Sequence, residues 1–190
     1  RNEIHKLEKK LVQIDKEKKT QRKNRQGTYK VALVGYTNAG KSSLMNCLTG
    51  ADTLVEDKLF ATLDATVRKI KKNFPYPVLL SDTVGLIDKL PHDLVASFKS
   101  TLDEVRDADL LIHVVDISHH EYAKQMRTAD NLLSEMGADD IDIILAFNKI
   151  DALPKTETLD RALQAHPSSI GISSKTGQGI DLLRQQMVIH

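Results

Sequence analysis

From residue 29 onward the chain alternates two patterns. Short, nearly unbroken apolar runs lie at 31–34, 78–80, 110–115, 141–147 and 170–172. Between them, at about 41–49, 92–107, 120–136, 156–165 and 178–187, the spacing suits helices. Short continuous runs of this kind suit parallel strands covered on both faces. Residues 67–74 instead alternate apolar and basic side chains, as an edge strand with one wet face does. The alternation predicts an α/β fold built on a mostly parallel, six-stranded, doubly wound sheet.

Residues 1–25 follow another rule. They contain neither Gly nor Pro, and Ile4, Leu7, Leu11 and Ile14 are spaced 3, 4 and 3. That is the seam of a coiled coil or helical hairpin. Two heptads are marginal by themselves, so a partner helix is expected. Gly27 breaks the pattern. The expected organisation is a basic helical arm over 1–26, the remnant of a linker or hairpin, followed by a globular domain over 27–190. Arg1 is not a natural start, so the chain reads as a fragment of a longer protein.

Charge sharpens this division. The net charge is +1, but residues 1–25 hold ten basic and four acidic side chains, leaving 17 basic and 22 acidic elsewhere. A basic arm on an acidic body suggests a polyanionic partner. The single cysteine, Cys47, excludes an intrachain disulfide. No apolar run reaches the ~20 residues of a membrane span. A cytoplasmic monomer is expected, or an organellar one if a targeting segment precedes Arg1.

Four motifs carry the chemistry. Gly35-Tyr36-Thr37-Asn38-Ala39-Gly40-Lys41-Ser42 matches G-x-x-x-x-G-K-S between a predicted strand and a predicted helix. Backbone N–H groups of such a loop, here around Asn38, Ala39, Gly40 and Ser43, can surround phosphate oxygens. Lys41 would pair with the β- and γ-phosphates and Ser42 would ligate Mg²⁺. Asp82-Thr83-Val84-Gly85 follows a strand. Asp82 would hold Mg²⁺ through water, and the Gly85 N–H would bond the γ-phosphate. Asn148-Lys149-Ile150-Asp151 follows the strand expected over 141–147. The two Asp151 oxygens can accept from guanine N1–H and its 2-amino group, a donor pair that adenine lacks. Asn148 would hold the loop and face the base, with Lys149 along the ring. Ser173-Ser174-Lys175 stands where backbone could contact guanine O6. Together these motifs predict GTP and GDP as ligands.

Three positions leave choices. Thr62 and Thr66 both lie in the loop expected to close on Mg²⁺ and the γ-phosphate. Leu86 follows Gly85, where many switch GTPases place a Gln that orients the attacking water. Leucine cannot do this, so another group or a partner must, and a slow intrinsic rate is expected. Asn38 is placed where, in a subset of GTPases, an Asn ligates K⁺; a loop-stabilising amide is the other reading. The seven histidines show no metal spacing. His113 reads as a packed core residue, and His92 is the one candidate for positioning water.

The phosphate loop, Leu59-Phe60-Ala61-Thr62-Leu63-Asp64-Ala65-Thr66, Asp82 to Ile87, Leu90-Pro91-His92, Phe98 with Thr101-Leu102 and Glu104, and the arm ending Gln21-Arg22-Lys23-Asn24-Arg25 together resemble HflX-type GTPases. Ala65, Leu86 and Ser43 depart from the Pro, Phe and Thr usual in that family. Ala65 leaves the loop freer than Pro would. The resemblance favours Thr62 over Thr66. It implies a P-loop G domain preceded by a further domain and a helical hairpin. It also implies a translational GTPase that binds the large ribosomal subunit and its rRNA, splits or rescues stalled ribosomes, and is stimulated by that partner. The alternative is a nucleotide-gated RNA-binding or ribosome-assembly module in which hydrolysis is incidental.

Overall fold

A computed structural model describes residues 28–50, 66–70, 74–86 and 102–189. The arm over 1–26, Thr62, His92 and Phe98 lie outside the described residues.

The strands are β1 (Tyr29–Val34), β2 (Thr66–Ile70), β3 (Val78–Asp82), β4 (Leu110–Asp116), β5 (Asp142–Asn148) and β6 (Ile170–Gly171). The helices are α1 (Lys41–Thr49), α2 (Tyr122–Glu135), α3 (Glu157–Ala165) and α4 (Ile180–Ile189), with a helical turn at 102–106 and a 3₁₀ turn at Ile150–Ala152. The sheet order is β2-β3-β1-β4-β5-β6. All neighbours are parallel except β2, which runs antiparallel to β3. The expected P-loop architecture is therefore present.

Strand periodicity explains why the runs are continuously apolar. Val31 and Leu33 of β1 join Leu44 and Leu48 of α1 and Leu183 and Met187 of α4 on one face. Ala32 and Val34 point the opposite way, into a cluster with Leu111 of β4 and Ala129 and Leu133 of α2. Each fully buried Leu or Val contributes roughly 1.5–3 kcal/mol, so a polar side chain on either face of β1 would be costly. His113 is the exception on β4. It is buried, as expected, with Nδ1 3.1 Å from the Asp130 carboxylate of α2.

The edge strand is less simply solvated than its basic pattern suggests. Lys69 is exposed, but the Arg68 guanidinium donates to Asn46 Oδ1 of α1 at 3.0 Å. The same C-terminal half of α1 is also held by Arg184 of α4, whose Nη2 donates to the carbonyls of Cys47 and Leu48 at 3.3 and 3.0 Å. These last-turn carbonyls lack intrahelical donors, and a cation there also suits the helix dipole. The N-terminal end of α1 is thereby left facing the C-terminal edge of the sheet, where ligands bind in open α/β folds.

Candidate nucleotide site

The phosphate loop connects β1 to α1. Gly40 caps α1 at φ 94°, a left-handed value that L side chains rarely adopt. A Cβ there would sit 2.3 Å from Asn148 Nδ2, so the loop and the base motif touch at a position that only glycine fits. Asn38 also has a left-handed backbone, φ 59°, and its side chain is exposed at the loop's outer turn. Asn tolerates that conformation better than most residues.

Lys41, the first residue of α1, is buried. Its ammonium donates to the carbonyls of Gly35 and Tyr36 at 3.3 and 3.1 Å. Burial pushes its pKa down to about 8, against the opposing pull of the Asp82 carboxylate. An incoming phosphate favours the charged form, so phosphate binding is linked to proton uptake above that pH. GDP affinity should be nearly flat below pH 7 and fall by about fivefold between pH 8 and pH 9. Titrations across that range would show it, and an affinity unchanged from pH 7 to 9.5 would separate Lys41 from the phosphates.

Ser42 Oγ donates to Asp82 Oδ2 at 2.5 Å, joining α1 to the end of β3. A hydroxyl and a carboxylate brought together beside the phosphate loop are hard oxygen donors suited to Mg²⁺. Thr66 begins β2 directly opposite Asp82 in the ladder. Beyond Asp82, the Thr83 hydroxyl donates to the Leu33 carbonyl at 2.7 Å. Gly85 lies so near the phosphate loop that a Cβ would be 2.6 Å from Thr37 Cα. The Leu86 N–H donates to the Gly35 carbonyl at 3.0 Å, and the Thr37 N–H donates to the Leu86 carbonyl at 3.2 Å. The Leu86 side chain is fully buried against Val34 and the α2 cluster.

The base end is organised around Asn148, which is fully buried. Its Nδ2 donates to the Ala39 carbonyl at 2.9 Å, and its Oδ1 accepts from the Ser174 N–H at 3.0 Å. One amide thus ties the phosphate loop to the Ser173-Ser174-Lys175 loop. The Ser173 hydroxyl donates to Asp151 Oδ1 at 2.5 Å and accepts from the Thr176 N–H at 3.1 Å. Asp151 is otherwise exposed, as is Lys175. Lys149 has φ 65°, and its ammonium lies 2.7 Å from Asp116 Oδ2.

A family model described as 50S ribosome-binding GTPase matches residues 30–149. GTPase HflX of Magnetococcus marinus is 46% identical over 189 residues, covering 98% of this chain and 44% of that protein. GTPase HflX of Flavobacterium psychrophilum is 56% identical over 153 residues, covering 80% of this chain and 37% of that protein. The chain belongs to the HflX GTPases. It spans less than half the length of these two HflX relatives and carries their GTPase domain. Among solved structures, SsGBP in complex with GDP superposes with a TM-score of 0.71 at 29% identity, covering 98% of this chain and 58% of that one. An Era variant of Aquifex aeolicus bound to GDP·AlF4⁻ gives a TM-score of 0.71 at 21% identity, covering 84% and 56%. The Era likeness extends to the fold.

The structure thus brings Asn38, Ala39, Gly40, Lys41, Ser42, Ser43, Asp82, Gly85, Asn148, Lys149, Asp151, Ser173 and Ser174 to one edge of the sheet. Lys175 follows in the same loop, and Thr62 falls outside the described residues. Asp116 and Ser118 were not legible as site residues in this HflX domain. The available signal was an acid ending an apolar run, at the sheet edge where Asn148 ends another.

Proposed function

We propose that this chain is the GTP-hydrolysing switch of a ribosome-associated HflX protein, acting on the large subunit in splitting or rescue of stalled ribosomes. The observation that carries the nucleotide reading is the Asn148 amide, which links a phosphate loop to a guanine-type loop. The ribosomal part is supported by the family model's description.

In this reading Lys41 neutralises charge on the β- and γ-phosphates, and backbone donors of Asn38, Ala39, Gly40 and Ser43 orient them. Ser42, Asp82 and the switch threonine hold Mg²⁺, which when bound neutralises the developing phosphate charge. Thr62 is preferred as that threonine because Thr66 is a rung of β2. Gly85 offers its N–H to the third phosphate. Asn38 is the proposed K⁺ ligand. Asp151 reads guanine while Ser173 holds one of its oxygens; Lys149 lies along the ring and the Ser174–Lys175 backbone faces O6. Leu86 supplies no water-orienting group, so the ribosome completes the site. The basic arm over 1–26 is the proposed rRNA contact.

GTP turnover with and without large ribosomal subunits, in KCl and in NaCl, tests this. Strong stimulation by subunits is expected, and a K⁺ requirement would place the ion at Asn38. GTP-dependent subunit binding without stimulation would favour the assembly-module reading instead. Base recognition has its own test. Asp151→Asn should shift preference from GTP toward XTP by at least about a hundredfold, because xanthine offers a carbonyl where guanine offers an amine. A variant that still prefers GTP removes Asp151 from the base.

A further inference from the structure

We propose that Asp116 is a positioning residue for guanine-nucleotide binding. It draws the Lys149 ammonium sideways, so that the lysine's methylene stem forms one wall of the purine pocket. This rests on the nucleotide reading above and deepens it.

Four observations lead there. Asp116 ends β4 in register with Asn148 of β5, which puts its carboxylate beside the residue that follows Asn148. The contact is short, Lys149 Nζ to Asp116 Oδ2 at 2.7 Å, and partly enclosed, with the side chains 30% and 13% exposed. The carboxylate is itself fixed. Its other oxygen accepts from both the N–H and the hydroxyl of Ser118, at 3.0 and 2.6 Å. The strand ends are also joined directly, by the Ile117 N–H donating to the Asn148 carbonyl at 3.1 Å.

The backbone adds a further argument. Lys149 has a left-handed φ of 65°, a conformation that a non-glycine residue keeps only where its surroundings over-determine it. Asn148 is pinned at both ends of its amide, and the Ile150 N–H donates to the Ile172 carbonyl at 3.3 Å. Those bonds fix the backbone on either side of Lys149. The Asp116 carboxylate fixes its side chain. A lysine head is strongly hydrated and its stem flexible, and such side chains cover apolar surface with the stem while the head finds water or a counter-charge. Here the counter-charge is built into the next strand.

The alternative is that Asp116 merely closes the turn with Ser118. GDP dissociation separates the two, measured from the full chain for wild type, Asp116→Asn, Lys149→Met and the double variant, with IDP alongside. The wild type must first prefer GDP to ADP; if it does not, the nucleotide reading itself fails. Each single variant should speed GDP dissociation about tenfold, and the double variant no more than either, because both remove one interaction. IDP, which lacks the 2-amino group, should be affected by the same factor, since the stem meets the ring and not that group. A double variant that loses the product of the two factors would overturn the proposal and assign Asp116 to its own turn. A fall in the ratio of GDP to IDP affinity would overturn it too, by showing that the effect runs through Asp151. Asp116→Asn keeps the volume and an acceptor for Ser118, and Lys149→Met removes the same pair from the other side.

Discussion

Replacing Lys41 with alanine should abolish measurable GTP binding, a loss of at least about a hundredfold in affinity. The nucleotide-free protein should become no less stable. The two expectations have one cause. The ammonium is buried with its pKa pushed down to about 8, so at pH 7 the folded state carries a charge that burial opposes. Between pH 8 and 10.5 the folded lysine is neutral while the unfolded one is still protonated. At this group the unfolded state then binds more protons, and its contribution to wild-type stability rises with pH across that window. Alanine removes the group and that share of the pH dependence, so the stability difference between variant and wild type should change between pH 7 and pH 10 in favour of wild type. Thermal unfolding of both proteins at pH 7 and pH 10, with GDP titrations at pH 7, would check this. A variant that still binds GDP tightly, or that unfolds well below wild type at pH 7, would contradict it.

Asn148→Ala should be the most destabilising single change in the site. The amide is fully buried, and alanine leaves the Ala39 carbonyl and the Ser174 N–H without that partner. Stranding one buried and one part-buried polar group costs about 2–4 kcal/mol. Guanine-nucleotide affinity should fall with it, because the phosphate loop and the base loop lose their common anchor. Denaturant unfolding of the nucleotide-free chain measures the first effect directly. A loss under about 1 kcal/mol would mean that the loops keep their places without the amide.

Much of this fold is legible in the chain because the sheet is covered on both faces. Continuous apolar runs such as 110–115 have no other economical place than a buried strand. The phosphate loop is legible because its glycines and lysine are local and close together. What escaped detection depends on register. Asn148 reads as the start of a loop, yet it is the last residue of β5, because the ladder continues until it stands opposite Asp116. The Ser173–Asp151 bond joins residues 22 positions apart, and the Asn148–Ala39 bond joins residues 109 apart. No periodicity encodes either pairing; each follows from which strands lie side by side. The Lys149–Asp116 pair is the same kind of feature.

Leu86 is the case where absence in the sequence and presence in the structure say different things. By type, it only lacks the amide of the glutamine that many switch GTPases carry there. In the fold its backbone is bonded twice to the phosphate loop and its side chain fills the interior beside α2. Leu86→Gln would therefore lodge an amide in a dry cluster, at a cost of about 2 kcal/mol or more, and would bring no water-orienting group to the nucleotide. Unfolding and basal GTP turnover of that variant would show lost stability with no gained rate. The position that elsewhere works as a moving tooth is here a rivet, and grafting the familiar residue onto it would loosen the frame without engaging the gear.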